Sequence, residues 1–442
     1  MSYRPPAPEP RDKVSVLDRE LLAMLPRAAY EEELFRFELG RRSVLIVNAP
    51  ALVREVLVER PAAFPKSDVM VSALEPLLGE GVFIAEGETW ARQRVLLEPA
   101  LATLRIRSVL PHVERSLDSF AARVGGGDTV SLGGEVSALM LEVICRSIFS
   151  SALDEAGLKA VTRHFGDYQR GLIDLGPMAL LSPSRRKPGA ALYAAARDLR
   201  AVAAELIDRR LAGDDKGEKP NDLLEAVIDA RSPDGDGFDR TGIIDQVMVF
   251  FLAGHETSAS ALTWALFILS QQPELADALA AEAREVAGER PLGFDDVAKL
   301  VLARAALMET LRLYPPAAFI TRRAVTEDRL GEAHVPEGTL VIVAPWLVHR
   351  HRALWAEPDN FLIERFGPGR ERAATPGSYL PFGLGPRVCT GRALALFEGP
   401  LILAEICRRF RVRALEPEAV SAVWRLTVQP AGEVPVRFEG VG

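Results

Sequence analysis

The chain has 442 residues and a formal net charge of −8, with 48% hydrophobic and 26% charged residues. These proportions are those of a globular chain and exclude a mainly disordered, fibrous or coiled-coil one. The negative balance argues against a nucleic-acid partner. Three cysteines without a CxxC pair, Cys145, Cys389 and Cys407, exclude a disulfide framework and a zinc ribbon and fit a thiol-reducing cytoplasm.

The opening MSYRPPAPEPRDK is proline-rich and charged where a signal peptide would be apolar, so residues 1–15 are expected as a flexible arm before one domain over 16–442. FRFELGRRSVLIVNAP alternates and reads as two short strands. Helical patterns dominate from about 51 to 314, broken by Gly and Pro clusters at 125–128, 182–189 and 232–237. The strongest is a helix over about 241–270. Its apolar run from Val247 to Leu269 carries His255 and Glu256 at the centre, which makes it a buried helix and leaves no transmembrane anchor. PELADALAAEAREVAG predicts a helix stopped by Gly288, and FDDVAKLVLARAALMETLRLY one stopped by Pro315 and Pro316. Short strands return in RRAVTEDRLGEAHVPEGTLVIVAP. A glycine-rich loop, a helix over ALALFEGPLILAEICRRF and a terminal hairpin follow. The predicted fold class is mainly α with a minor β region.

The loop Pro381-Phe-Gly-Leu-Gly-Pro-Arg-Val-Cys389-Thr-Gly391-Arg392 carries the most chemistry. Gly383, Gly385 and Pro386 specify an irregular turn, and Cys389 stands at a helix entrance, where unpaired N–H groups favour a thiolate. Cys389 could be one more buried apolar residue, a nucleophile paired with a distant histidine, or an axial ligand to haem iron. A phosphatase would need an arginine six positions on, where Ala395 stands. Two other features bear on the choice. Glu309 and Arg312 share a helix face in LMETLRLYPP, and Ala253-Gly254-His255-Glu256-Thr257 places an acid and a hydroxyl inside an apolar helix. Taken singly, the first is an ordinary solvated pair and the second a kink with a back-bonded threonine.

Together these segments resemble the cytochrome P450 family: FGLGPRVCTG its cysteine loop, ETLR its ExxR helix and AGHET its oxygen-binding helix. The spacings agree, with 52 positions from Thr257 to Glu309 and 77 from Arg312 to Cys389, and Glu398 nine past the cysteine. Trp90-Ala-Arg-Gln-Arg94 is similar to the family's WxxxR segment. Phe361-Leu-Ile-Glu-Arg365 departs from its Phe-x-Pro-x-Arg pattern, with Ile363 in place of proline, and keeps the Arg365 that would join the Glu309–Arg312 pair.

The resemblance implies a soluble, monomeric bacterial-type monooxygenase with haem b. Cys389 would be its metal ligand, and Phe382, Gly383, Arg387 and Gly391 would shape the thiolate side. Trp90, Arg94, Arg323 and Arg387 would meet the haem propionates, Arg323 being preferred to Arg322 on its spacing to Asp328. Ala253 and Gly254 would face the haem from the long helix, with Glu256 and Thr257 as catalytic proton carriers. Val249, Leu252, Phe319, Ile320 and Leu426 would line an apolar substrate pocket, roofed by GLIDLGPMALLSP at 171–183. The substrates would be O2 and a largely apolar small molecule, hydroxylated or epoxidised. The rivals are a peroxide-driven peroxygenase, a non-catalytic haem sensor and, furthest, a cysteine hydrolase. No reductase domain follows the haem domain, so electrons are expected from a separate ferredoxin or flavodoxin with its NAD(P)H reductase. Residues 364–413 hold nine Arg and four Glu. Arg370, Arg372, Arg392, Arg408, Arg409, Arg411 and Arg413 are therefore expected to form a basic docking face for an acidic donor.

Overall fold

The computed structural model describes residues 3–13, 20–39, 42–99, 103–150, 155–181, 189–213, 220–368 and 375–441. Nine long helices are used below: α1 (Gly87–Leu97), α2 (Thr103–Val124), α3 (Leu132–Phe149), α4 (Glu155–Leu181), α5 (Ala190–Ala212), α6 (Arg240–Ser270), α7 (Pro273–Ala287), α8 (Val301–Leu313) and α9 (Arg392–Arg409). The strands are β1 (Leu34–Leu39), β2 (Arg42–Val47), β3 (Val130–Ser131), β4 (Ile320–Arg323), β5 (Asp328–Leu330), β6 (Ala333–Val335), β7 (Leu340–Val343), β8 (Phe410–Ala414), β9 (Ala422–Trp424), β10 (Val428–Pro430) and β11 (Pro435–Gly440). The expected mainly helical fold with small sheets is what the chain adopts.

FRFELGRRSVLIVNAP forms β1 and β2, as its alternation predicts. They belong to a four-stranded sheet of order β1-β2-β7-β4, in which β2 runs parallel to β7 and β4 antiparallel to it. β9 and β10 make a hairpin, whereas PVRFEG, expected to end it, forms β11 in a separate sheet with β3 and β8.

The long helix α6 starts one residue before the expected position, because the Asp239 carboxylate caps it by accepting from Gly242 N at 2.7 Å. α6 is buried along most of its length and divides two apolar clusters. One holds α2, α8 and α9 with Trp264 stacked on Tyr314 at 3.8 Å; the other holds α4 and α5, and α3 contributes to both. Packing on every side, rather than one amphipathic face, explains its apolar sequence. The helix predicted over FDDVAKLVLARAALMETLRLY is divided into a 3-10 turn, Phe294–Lys299, and α8.

The segment expected as a loose arm is docked over residues 3–13. Phe361 N donates to Tyr3 O at 2.7 Å, Arg27 N donates to Arg11 O at 2.7 Å, and the Tyr314 hydroxyl donates to Pro6 O. Backbone groups paired in this way, not proline content, set its order. No helix among the described residues is long and apolar enough to cross a membrane.

Candidate functional site

The cysteine loop turns on two glycines with positive φ, Gly383 at 74° and Gly385 at 76°. A Cβ on Gly385 would lie 2.3 Å from Leu57 O, so only glycine fits there. Cys389 N donates to Phe382 O at 2.9 Å, closing the loop, and α9 begins three residues later with Gly391 as its cap. The thiol side chain is exposed. Its surroundings are nevertheless protein-rich, and desolvation pushes its pKa up, while the N–H groups of Gly391 and Arg392 and the charges of Arg94 and Arg392 pull it down.

The opposite wall is a local opening in α6. Ala253, Gly254, Thr257 and Ser258 are accessible in the middle of an otherwise buried helix, and their spacing puts them on one stripe. Ser258 Oγ donates to Glu398 Oε1 at 2.7 Å, which ties this stretch to the helix that follows Cys389. Burial raises Glu398 to about 7. Thr257 is exposed, and its hydroxyl donates to Ala253 O at 2.6 Å, leaving its oxygen lone pairs available on the open side.

Glu256 points elsewhere. It is buried and accepts from Gln169 of α4, from Thr427 at 3.1 Å and from Gln429 at 3.0 Å. Burial raises its pKa to about 7 despite the Thr427 and Gln429 hydrogen bonds, which lower it.

Trp90, Arg94 and Arg387 come together as expected. The Arg387 guanidinium lies 4.3 Å from the Trp90 ring centre, donates to Ala85 O at 2.7 Å and pairs with Glu86; Arg94 donates to Val388 O at 2.9 Å. Arg323 does not join them. Strand alternation leaves Arg323 exposed and turns Arg322 inward, where it is buried and feels the charges of Arg387 and Glu86. Lys66, which no sequence motif singled out, completes the cluster. Burial first, then repulsion from Arg387 and Arg322, lowers it to about 7, while Glu86 pulls it back up. Arg322 is lowered to about 10, chiefly by burial.

This donor set fits haem. A cysteine sulfur is open in front of a helix start, and Gly391 would place even an added Cβ 3.8 Å from it. Beside it, three cations, Lys66, Arg322 and Arg387, share the Glu86 carboxylate, with Arg94 on the neighbouring Val388 carbonyl, an excess of positive charge that a pair of propionates would relieve.

A buried network holds the loop from behind. Arg312 and Glu309 are fully buried and joined by two 2.7 Å hydrogen bonds. Arg312 also donates to the carbonyls of His349, Pro358 and Asn360, and Glu309 accepts from Leu362 N at 2.9 Å and Arg365 Nε at 3.3 Å. Arg365 thus joins the pair although Ile363 replaces proline. His349 was not foreseen. Its Nδ1 donates to Arg312 O at 3.0 Å, and its Nε2 accepts from Leu380 N at 2.9 Å, just before the cysteine loop.

The expected pocket residues divide. Val249 and Leu252 are buried in the apolar cluster around α3 and α5 and do not open on the recess. Phe319, Ile320 and Leu426 are half-buried, and Leu426 lines a cavity of about 210 Å³ with Gln169 and Gln429. The expected roof is helical to Leu181, and residues 182 and 183 lie outside the described residues.

The basic docking face is mostly neutralised. Arg408 pairs with Glu405 at 2.8 Å, Arg409 with Asp118 at 2.8 Å, Arg411 with Asp277, and Arg413 with Glu439 at 3.9 Å. Arg370 and Arg372 lie outside the described residues; Arg392 is exposed, its guanidinium 5.9 Å from the Phe382 ring centre. The composition count missed this because three of the acids, Asp118, Asp277 and Glu439, come from distant segments.

The family model of cytochrome P450 matches residues 24–428. Cyclooctat-9-en-7-ol 5-monooxygenase of Streptomyces melanosporofaciens is 34% identical, covering 89% of this chain and 85% of its own. Pentalenene oxygenase of Streptomyces avermitilis is 29% identical, covering 88% and 85%. The crystal structure of the cytochrome P450DA haem domain superposes with a TM-score of 0.80 over 93% of this chain and 89% of that one, at 24% identity, which speaks to the fold. The cysteine loop, the buried Glu309–Arg312 pair and the family match agree: this chain belongs to the cytochrome P450 family and is a monooxygenase.

Proposed function

We propose that the chain uses O2 and electrons from a separate redox partner to hydroxylate or epoxidise a largely apolar small molecule. The observation that carries this reading is the accessible Cys389 sulfur in front of α9, tied through Ser258 and Glu398 to the one accessible stretch in the middle of α6. Haem held there would supply the oxygen-activating chemistry.

The protein's own contributions follow from its contacts. Cys389 would supply the thiolate, stabilised by the N–H groups of Gly391 and Arg392. Arg94, Arg322, Arg387 and Lys66 would hold the propionates. Thr257 Oγ1 is free to accept a hydrogen bond in the recess while it donates its own hydrogen to Ala253 O. Glu256, poised near neutrality, holds its proton beside Thr427 and Gln429, and Gln429 in turn lines the cavity. Apolar side chains at Phe319, Ile320 and Leu426 favour an apolar substrate. The acid and the hydroxyl favour oxygen-driven over peroxide-driven turnover. The relatives named for cyclooctat-9-en-7-ol and pentalenene support a compact hydrocarbon-rich substrate.

With the basic face largely paired, the donor would dock over Arg392 and the rim of the cysteine loop, guided more by shape than by long-range charge. The test is turnover of the haem-loaded protein with a surrogate ferredoxin or flavodoxin and its reductase. Oxygenated product with label from 18O2 is expected; product only with added peroxide would favour the peroxygenase reading, and none under either condition the sensor.

A further inference from the structure

The Glu256 network fixes more than a proton. An amide that gives its nitrogen to a carboxylate cannot present its carbonyl to the same group. Gln169 and Gln429 both donate through Nε2 to Glu256, from two different elements. Among the described residues neither Oε1 has a hydrogen-bond partner, and both side chains line the cavity of about 210 Å³. The carboxylate therefore sets both amide orientations and leaves two acceptor oxygens for a ligand. The hairpin side is rigidly held, since Ser260 and Trp264 of α6 donate to Val428 O at 2.7 and 2.9 Å.

The other walls narrow the ligand. Leu172 and Leu426 are apolar. Arg170 and Arg425 stand exposed at the rim, the first paired with Asp167 and the second donating to Ala431 O at 3.1 Å. A pure hydrocarbon would desolvate two carbonyls without replacing their partners. A carboxylate would meet two amide oxygens with Glu256 behind them. A hydroxyl suits the site better than either: it donates to one of the two amide oxygens and accepts from a rim guanidinium.

We propose that Gln169 and Gln429 are specificity-determining residues that bind a hydroxyl group already present on an otherwise apolar substrate. The inference rests on the monooxygenase reading and refines its substrate class. The oxidised molecule is an alcohol, so an earlier hydroxylation, hydration or water-quenched cyclisation must supply it.

Two ligand sets test this on the haem-loaded protein by equilibrium dialysis: limonene, perillyl alcohol and perillic acid, and dodecane, 1-dodecanol and dodecanoic acid. In at least one set the alcohol should bind about tenfold more tightly than its hydrocarbon and its acid, the worth of one buried hydrogen bond. Gln429→Leu or Gln169→Leu should bring that ratio near one while hydrocarbon affinity is kept or improved. An unchanged haem-thiolate carbonyl spectrum shows that each variant has folded. Equal binding within both sets, preference for the acid, a ratio indifferent to both substitutions, or no binding of any ligand would overturn the proposal. Turnover is scored separately. Alcohol preference without product would remove the monooxygenase reading and leave the hydroxyl site, whereas product without preference would do the reverse.

Discussion

Arg312 and Glu309 meet through two 2.7 Å hydrogen bonds at a position from which solvent is wholly excluded. Neither is spent on the other alone. Arg312 also holds the carbonyls of His349, Pro358 and Asn360, and Glu309 holds Leu362 N and Arg365. The pair thus fastens the chain from 349 to 365 against α8. Glu309→Ala would leave Arg312 buried without its counter-charge, a change that costs about 3–5 kcal/mol for such pairs. Denaturant unfolding of the variant should show that loss together with weakened haem retention; wild-type stability would mean that the network is dispensable.

His349 adds a pH signature. Burial, then the Arg312 charge, lowers its pKa from 6.5 to about 3, so it is neutral in the folded protein and ready to bind a proton once unfolded. His255, lowered by burial to about 4, acts in the same sense. Their contribution is complete above about 6.5 and is lost as pH falls toward the folded values. His349→Gln should flatten the decline of stability between pH 6.5 and 4 relative to wild type, measured by denaturant midpoints. Parallel curves would assign the acid sensitivity to other groups.

The buried carboxyl of Glu256 works in the opposite direction. Its pKa is raised from 4.5 to about 7, so the folded state binds the proton more tightly, and stability drains as pH rises from 4.5 through 7. Glu256→Gln removes that slope, worth about 3 kcal/mol by the size of the shift. The same pH titration would show it, and a variant slope equal to wild type would mean that Glu256 is ionised throughout.

Arg322 and Arg323 offer an internal control. The two are adjacent in β4, yet Arg322 is buried within the Lys66–Arg387 cluster and Arg323 is exposed. Haem transfer to apomyoglobin should accelerate in Arg322→Ala and stay unchanged in Arg323→Ala. The reverse order would return the propionate contact to Arg323.

The comparison of these two arginines also shows where sequence reading ends. Motifs with several fixed positions, the cysteine loop, ETLR and WxxxR, located Cys389, Glu309, Arg312, Trp90 and Arg94 because spacing alone constrains them. Arg322 against Arg323 is a question of strand phase, and four residues of β4 do not settle it from pattern. Lys66, His349 and Gln169 carry no local signature; distant segments bring them to the site. Proline content misled for the N-terminal segment, where its carbonyls at Tyr3 and Pro6 are held by Phe361 N and the Tyr314 hydroxyl. The arginine count around Cys389 misled because Asp118, Asp277 and Glu439 answer it from elsewhere in the chain.

That neutralisation changes what salt should do. Paired charges cancel beyond a few ångströms, so electron transfer from an acidic donor should slow only modestly between low and physiological ionic strength. Arg392→Glu should slow it more than Arg411→Glu. A steep salt dependence, with Arg411 as sensitive as Arg392, would restore the broad basic face.

Proton handling is tested through Thr257, whose hydroxyl is exposed mid-helix beside Gly254. Thr257→Ala should retain haem and substrate affinity while product per electron consumed falls by one to two orders of magnitude. Unaltered coupling would make the hydroxyl a purely structural back-bond to Ala253.

The haem chemistry depends on Cys389 as the iron ligand, and the carbon monoxide spectrum of the reduced protein addresses that directly. The wild-type protein should show the strongly red-shifted band of a haem–thiolate carbonyl complex. Cys389→Ser, nearly isosteric, should bind haem and lose that band. A red-shifted band that persists in the serine variant, or that never forms in the wild type, would contradict the assignment.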